Sequence, residues 1–104
     1  MARSVSWTET AWADLEAIAD YIAHDSRFYA AAFVREARDV ARSLRTFAER
    51  GRVVPEMNDP RIRELLFGNY RLVYRVREES AEILGLIHGA RDLAALWKRE
   101  DRPR

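Results

Sequence analysis

The chain has 104 residues, enough for one domain (1–104) with one modest core, and its 18 Lys and Arg against 17 Asp and Glu give a net charge of only +1, which excludes a general polyanion binder. It has no cysteine, which excludes disulfides, thiolate nucleophiles and cysteine metal ligands. No apolar run approaches the roughly 18 residues of a membrane span and no signal pattern opens the chain, so a cytoplasmic protein with no membrane partner is expected.

Every basic residue except Lys98 is arginine, the side chain that binds phosphate and carboxylate through a planar pair of donors. A compositional bias of the coding sequence accounts for such an excess equally well.

Residues 3–8, RSVSWT, alternate Val5 and Trp7 with Ser4 and Ser6, which predicts a short strand at one edge of a sheet. Thr8 or Thr10 then caps an amphipathic helix reaching about residue 23, with Trp12, Leu15, Ile18, Ala19 and Ile22 on its apolar stripe. His24-Asp25-Ser26 breaks the pattern. A longer helix is predicted over 27–50, its stripe made by Phe33, Ala37, Val40, Leu44 and Phe47, with Gly51 as a left-handed cap. So short a link makes the two helices an antiparallel hairpin. Residues 51–60, GRVVPEMNDP, have two prolines and no period, and read as a loop back to the sheet.

Residues 61–93 read as a three-stranded antiparallel meander. The run 62–67 ends at Gly68-Asn69, a pair suited to a tight turn with positive φ angles. In the next run Tyr70, Leu72, Tyr74 and Val76 point to one side, and Arg71, Val73, Arg75 and Arg77 to the other. After a polar turn, residues 83–88 are apolar enough to be buried on both faces. Asp92 caps a short last helix in which Leu93, Leu96 and Trp97 share a face, and a charged tail follows. The expected fold is therefore α+β, in the order β-α-α-β-β-β with a short C-terminal helix.

A glycine-rich phosphate loop, an HExxH motif and a GxSxG motif are all missing, and His24 and His88 have no spacing that suggests a metal pair. No cofactor or metal is implied. The candidate cluster is Arg71, Arg75, His88, Arg91 and Trp97. Antiparallel pairing brings His88 and Arg91 near Tyr70 and Arg71. Such a group can hold a phosphate, with His88 moving a proton and Trp97 stacking on a base. Against this stands a plainer reading, in which the arginines are solvated or paired with Glu64 and Glu82 and His88 is an interior residue. A third use of the arginine face is docking an acidic strand or helix of a partner.

The run IRELLFGNYRLVYRV, followed by ILGLIHGARDL, resembles the RelE/ParE superfamily of toxins of bacterial type II toxin–antitoxin systems. GRVVPEMNDP and the order of elements extend the resemblance over nearly the whole chain. It implies a helical hairpin packed on a curved antiparallel sheet, growth arrest, a part in plasmid stabilisation, and a hetero-oligomer with a cognate antitoxin. RelE-like members cleave messenger RNA on the ribosome; ParE-like members inhibit DNA gyrase. Arg71 and Arg91 match arginines of the RelE-like site, whereas the positions of its lysines hold Ile62 and Glu64, and Trp97 stands where a catalytic tyrosine is expected. A gyrase inhibitor is the expectation, and the alternatives are a ribosome-dependent endoribonuclease using Arg71, Arg91 and His88, or a non-toxic antitoxin-binding member. The residues expected to meet antitoxin or target are Arg71, Arg75, Arg77, Arg91 and Trp97, together with the groove between the sheet and the first helix.

Overall fold

The computed structural model describes residues 2–89, 91 and 93–99. Strand β1 (Ser4–Trp7) is followed by α1 (Glu9–Ala23) and α2 (Arg27–Ser43), then β2 (Arg52–Val53), a single 3₁₀ turn at Pro55–Met57, β3 (Ile62–Phe67), β4 (Tyr70–Val76), β5 (Ser80–His88) and α3 (Leu93–Arg99). The sheet has five strands in the order β1-β5-β4-β3-β2. It is mixed, not purely antiparallel, because β1 runs parallel to β5, pairing Ser4 with Ser80 and Trp7 with Ile83.

The helices start where short polar side chains satisfy orphan amides. The Thr8 hydroxyl accepts from the Ala11 N–H and the Ser26 hydroxyl from the Tyr29 N–H. Helix α2 stops at Ser43, earlier than its stripe predicts. There the Ser43 hydroxyl donates to the Val40 carbonyl and accepts from Arg50 Nη1, so the chain turns through 44–47 and Phe47 is left exposed. Gly51 is not a left-handed cap. A Cβ there would lie 2.5 Å from the Tyr74 hydroxyl and 2.6 Å from the Glu64 carbonyl oxygen, so its role is close approach. The loop predicted over 51–60 contains both β2 and the 3₁₀ turn, elements too short to show a period.

In the β3–β4 turn only Gly68 takes a positive φ, +55°, as a type II′ turn requires at its first central position. Between β4 and β5, Val73 pairs with Gly85 and Tyr74 with Ile83, so Leu84 is an extra residue. That bulge lets Ile83 and Leu86 both face the helices while Leu84 and Ile87 face the other way.

Both faces of the central strands are consequently buried. On one side Leu72, Tyr74, Ile83 and Leu86 pack against Ala11 and Leu15 of α1 and Phe33, Ala37 and Ala41 of α2. On the other, Val73, Leu84 and Ile87 are covered by Leu93, Leu96 and Trp97 of α3, with Val54 and Ile62. The predicted apolar face of the last helix is thus real, whereas the capping role of Asp92 and the residues after Arg99 lie outside the described residues. Trp12, placed on the core stripe by its spacing, is 43% exposed, and only Phe33 of the two aromatic stripes' leading residues is interior.

Tyr74 ties the segment between α2 and β2 to the sheet. Its buried hydroxyl donates to the Ala48 carbonyl (2.7 Å) and accepts from the Gly51 N–H (3.0 Å). Replacing Tyr74 by Phe leaves both backbone groups without this partner. Urea unfolding should show a loss of about 1–3 kcal/mol, with an unchanged slope.

Candidate functional site

Arg71 on β4 lies opposite Leu66 of β3 and Ile87 of β5, on the face away from the helical hairpin. That face is not open. Arg71 is only 6% exposed, and its guanidinium donates from Nε to Glu64 Oε1 (2.6 Å) and from Nη1 and Nη2 to the two oxygens of Glu56 (3.1 and 3.2 Å). Glu64, wholly interior, receives a further bond at Oε2 from Arg52 Nε (2.5 Å). Two cations and two carboxylates therefore close on one another, with no net charge.

These contacts shift the ionisation of Arg71 and Glu56. Burial pulls the Arg71 guanidinium down, but its hydrogen bonds to Glu56 and Glu64 outweigh that and raise it above its ordinary value. The hydrogen bond from Arg71 holds the Glu56 carboxyl below its ordinary 4.5, against the opposing effect of burial.

The other expected site residues separate. Arg75 is largely enclosed, with Nη1 4.0 Å from Glu82 and with Nε and Nη2 buried and without a hydrogen-bond partner. Arg77 is exposed at the turn before β5, its Nη2 3.5 Å from the same carboxylate. Trp97 is interior, 1% exposed among Ile62, Leu84 and Ile87, so it presents no ring on which a base can stack. This corrects the reading of an arginine-lined open face: α3 covers it.

His88 and Arg91 do meet near Tyr70. His88 is the register partner of Tyr70, their rings edge-to-face with centroids 5.5 Å apart, and the Arg91 N–H donates to the His88 carbonyl. With Asp14, Ile18, Tyr21 and Tyr70 they line a hollow of about 290 Å³ between α1 and the end of β5. This is the groove beside the first helix, and the Leu86 N–H reaches across it to Asp14 Oδ2 (3.0 Å). Beside it, Arg52, Glu56, Arg71, His88 and Gly89 border a second hollow of about 410 Å³. Sequence reasoning missed Glu56 because nothing periodic marks a 3₁₀ turn. Among the described residues no group of three or more His, Asp or Glu is arranged to hold a metal ion, and no helix is long and apolar enough to cross a membrane.

Residues 5–93 match the family described as the ParE toxin of the type II toxin–antitoxin system, parDE. No curated protein matches the chain. Among solved structures it is similar to a chain of the chromosomal ParDE toxin–antitoxin system from P. aeruginosa, at 27% identity and a TM-score of 0.69, over 84% of this chain and 96% of that one. It also shares the fold of a chain of the toxin–antitoxin complex RelBE2 from Mycobacterium tuberculosis, at 22% identity and a TM-score of 0.62, over 85% of this chain and 99% of that one.

Two predictions follow from the ion cluster. Arg71→Met strands the buried Glu64 with Arg52 alone and should cost about 3–5 kcal/mol in denaturant unfolding, while adding Glu64→Leu should recover most of that loss. Because the Glu56 carboxyl is depressed, its contribution is complete above its ordinary value of 4.5 and is lost as pH falls through its lower folded value. Melting curves across that acid range should fall less steeply for Glu56→Gln than for the parent.

Proposed function

Because the chain belongs to the ParE toxin family of type II toxin–antitoxin systems, we propose that it arrests growth by binding and inhibiting DNA gyrase, and that a cognate antitoxin neutralises it. The family, and its likeness to a ParDE chain over 84% of its length, support an antitoxin as partner. The choice of gyrase over messenger RNA is carried by one observation, the closure of Arg71 between Glu64 and Glu56.

An RNA-cleaving site stabilises a phosphorane-like transition state with an excess of positive charge. Here the central arginine already satisfies two carboxylates, and Arg52 answers the remaining oxygen of Glu64. Displacing those contacts for a phosphate would strand Glu64 in the interior, a costly exchange. The β3 positions that hold lysines in RelE-like enzymes carry Ile62, packed under α3, and Glu64 itself. Trp97 is buried, and an indole N–H does not exchange protons as an acid or base. His88 and Arg91 remain at the surface, too few to complete a general acid–base pair with a phosphate clamp.

For the antitoxin, the hollow between α1 and β5 has suitable chemistry: apolar walls from Ile18 and Tyr70, with Arg91 and His88 at one end. An amphipathic segment with a terminal carboxylate fits those features. Arg91→Glu should then weaken the complex at least about tenfold by titration calorimetry, whereas Arg75→Glu acts through folding because Arg75 is enclosed.

Induced expression without antitoxin, with DNA and protein synthesis labelled separately in the first minutes, tests the proposal. Early arrest of DNA synthesis with transcripts intact is expected. Early arrest of translation with cleaved transcripts would make the protein a ribonuclease, and unimpeded growth with soluble protein would make it a non-toxic member.

A further inference from the structure

On the opposite side of the molecule from the ion cluster, Trp7 of β1 and Trp12 of α1 meet at right angles. Their ring centroids are 5.7 Å apart and the interplanar angle is 89°. Trp12 remains 43% exposed, unusual for a tryptophan with a core available. The two indoles, with Thr8, Glu9 and Glu16, line a hollow open to solvent.

Glu9, Trp12 and Glu16 stand three and four residues apart on α1, so they share one face and the carboxylates flank the ring. Neither carboxylate has a basic partner among the described residues. Glu9 lies in the first turn, where the helix dipole favours a negative charge, but nothing comparable accounts for Glu16 or for the exposed indole. Perpendicular aromatic faces between two unanswered carboxylates select a cation: the ring quadrupoles attract it and the carboxylates neutralise it.

The adjoining backbone adds a means of holding a chain. The N–H groups of Ser4 and Thr8 point to β5, donating to Glu79 and Ile83 carbonyls, whereas the Arg3 N–H points outward to the Arg45 carbonyl. By alternation, the backbone groups of Val5 and Trp7 also face outward, along an edge that no further strand pairs among the described residues and that Arg38, Arg42 and Arg45 border. An extended segment can pair there and deliver a side chain beside Trp7.

We propose that the hollow formed by Trp7, Trp12, Glu9 and Glu16 receives an arginine or lysine side chain from an extended segment of a partner protein, paired along the free edge of β1. The site is independent of the gyrase and antitoxin reading, since it shares no residue with the ion cluster or with the groove beside β5. Its chemistry asks for a basic residue at the end of a short run with strand character.

The test uses the whole chain and three indole N–H signals in ¹H–¹⁵N spectra. Titration with N-acetyl-arginine methylamide should shift the Trp7 and Trp12 signals together and saturably, leaving the buried Trp97 unmoved. The uncharged citrulline derivative should give no saturable shift. The Glu9→Gln, Glu16→Gln double variant should bind the arginine derivative at least about fivefold more weakly. A blocked Thr-Val-Thr-Arg peptide should bind at least about tenfold more tightly than the arginine derivative and slow exchange of the Val5 and Trp7 amides. Equal response to citrulline, unchanged binding by the double variant, or no saturable shift would overturn the cation site. A peptide no tighter than the single residue would overturn the strand pairing. Shifts of both indoles on dilution of the protein alone would assign the hollow to a second copy of this chain and overturn a distinct partner.

Discussion

The two central strands, β4 and β5, bury both faces, and the rest of the molecule is arranged to satisfy that constraint. One face takes the helical hairpin; the other needs a second cover, which α3 supplies with Leu93, Leu96 and Trp97. The bulge at Leu84 divides the apolar residues of β5 between the two sides. Once α3 lies over the second face, a charged side chain enclosed there without a partner is costly. Glu64 and Arg71 partner each other, and Glu56 and Arg52 complete the set from the segment that leads into β3. The ion cluster is thus a consequence of the second layer, not an addition to an open surface.

That order of causes bears on function. An arginine on a strand next to a histidine-bearing strand invites a phosphate, and the sequence around Arg71 resembles one used that way. The same arginine enclosed with two carboxylates is a strut. It holds the 3₁₀ turn against the sheet through Glu56 and gives the buried Glu64 carboxylate a hydrogen-bond donor. The open surfaces lie elsewhere: the groove beside α1, and the end of the helical hairpin where Tyr21, Phe28 and Tyr29 are exposed.

The parts legible in the sequence were those with a period. Alternation in 70–76 separated the residues facing the helices from those facing away, and antiparallel pairing put His88 beside Tyr70. Of the two threonines that could cap the first helix, Thr8 is the one that does. Alternation states which side a residue takes, however, and not whether another element covers that side. The enclosure of Arg71 was therefore missed, although a signal existed: Val73, Leu84 and Ile87 make the second face apolar, and the Leu93–Leu96–Trp97 stripe needs such a face. Trp12 shows the converse, a stripe residue left 43% exposed, its ring set edge-to-face against Trp7 of β1. The parallel pairing of β1 and the two-residue β2 carried no readable pattern.

The measurement that bears most directly on this account is supercoiling by purified DNA gyrase in the presence of the purified chain, run beside translating ribosomes programmed with a defined messenger. Inhibited supercoiling with the messenger intact is the predicted result, and Glu64→Leu with Arg71→Met should retain it because the cluster is structural. Uninhibited gyrase with messenger cut on the ribosome, and cleavage lost in that double variant, would contradict the account.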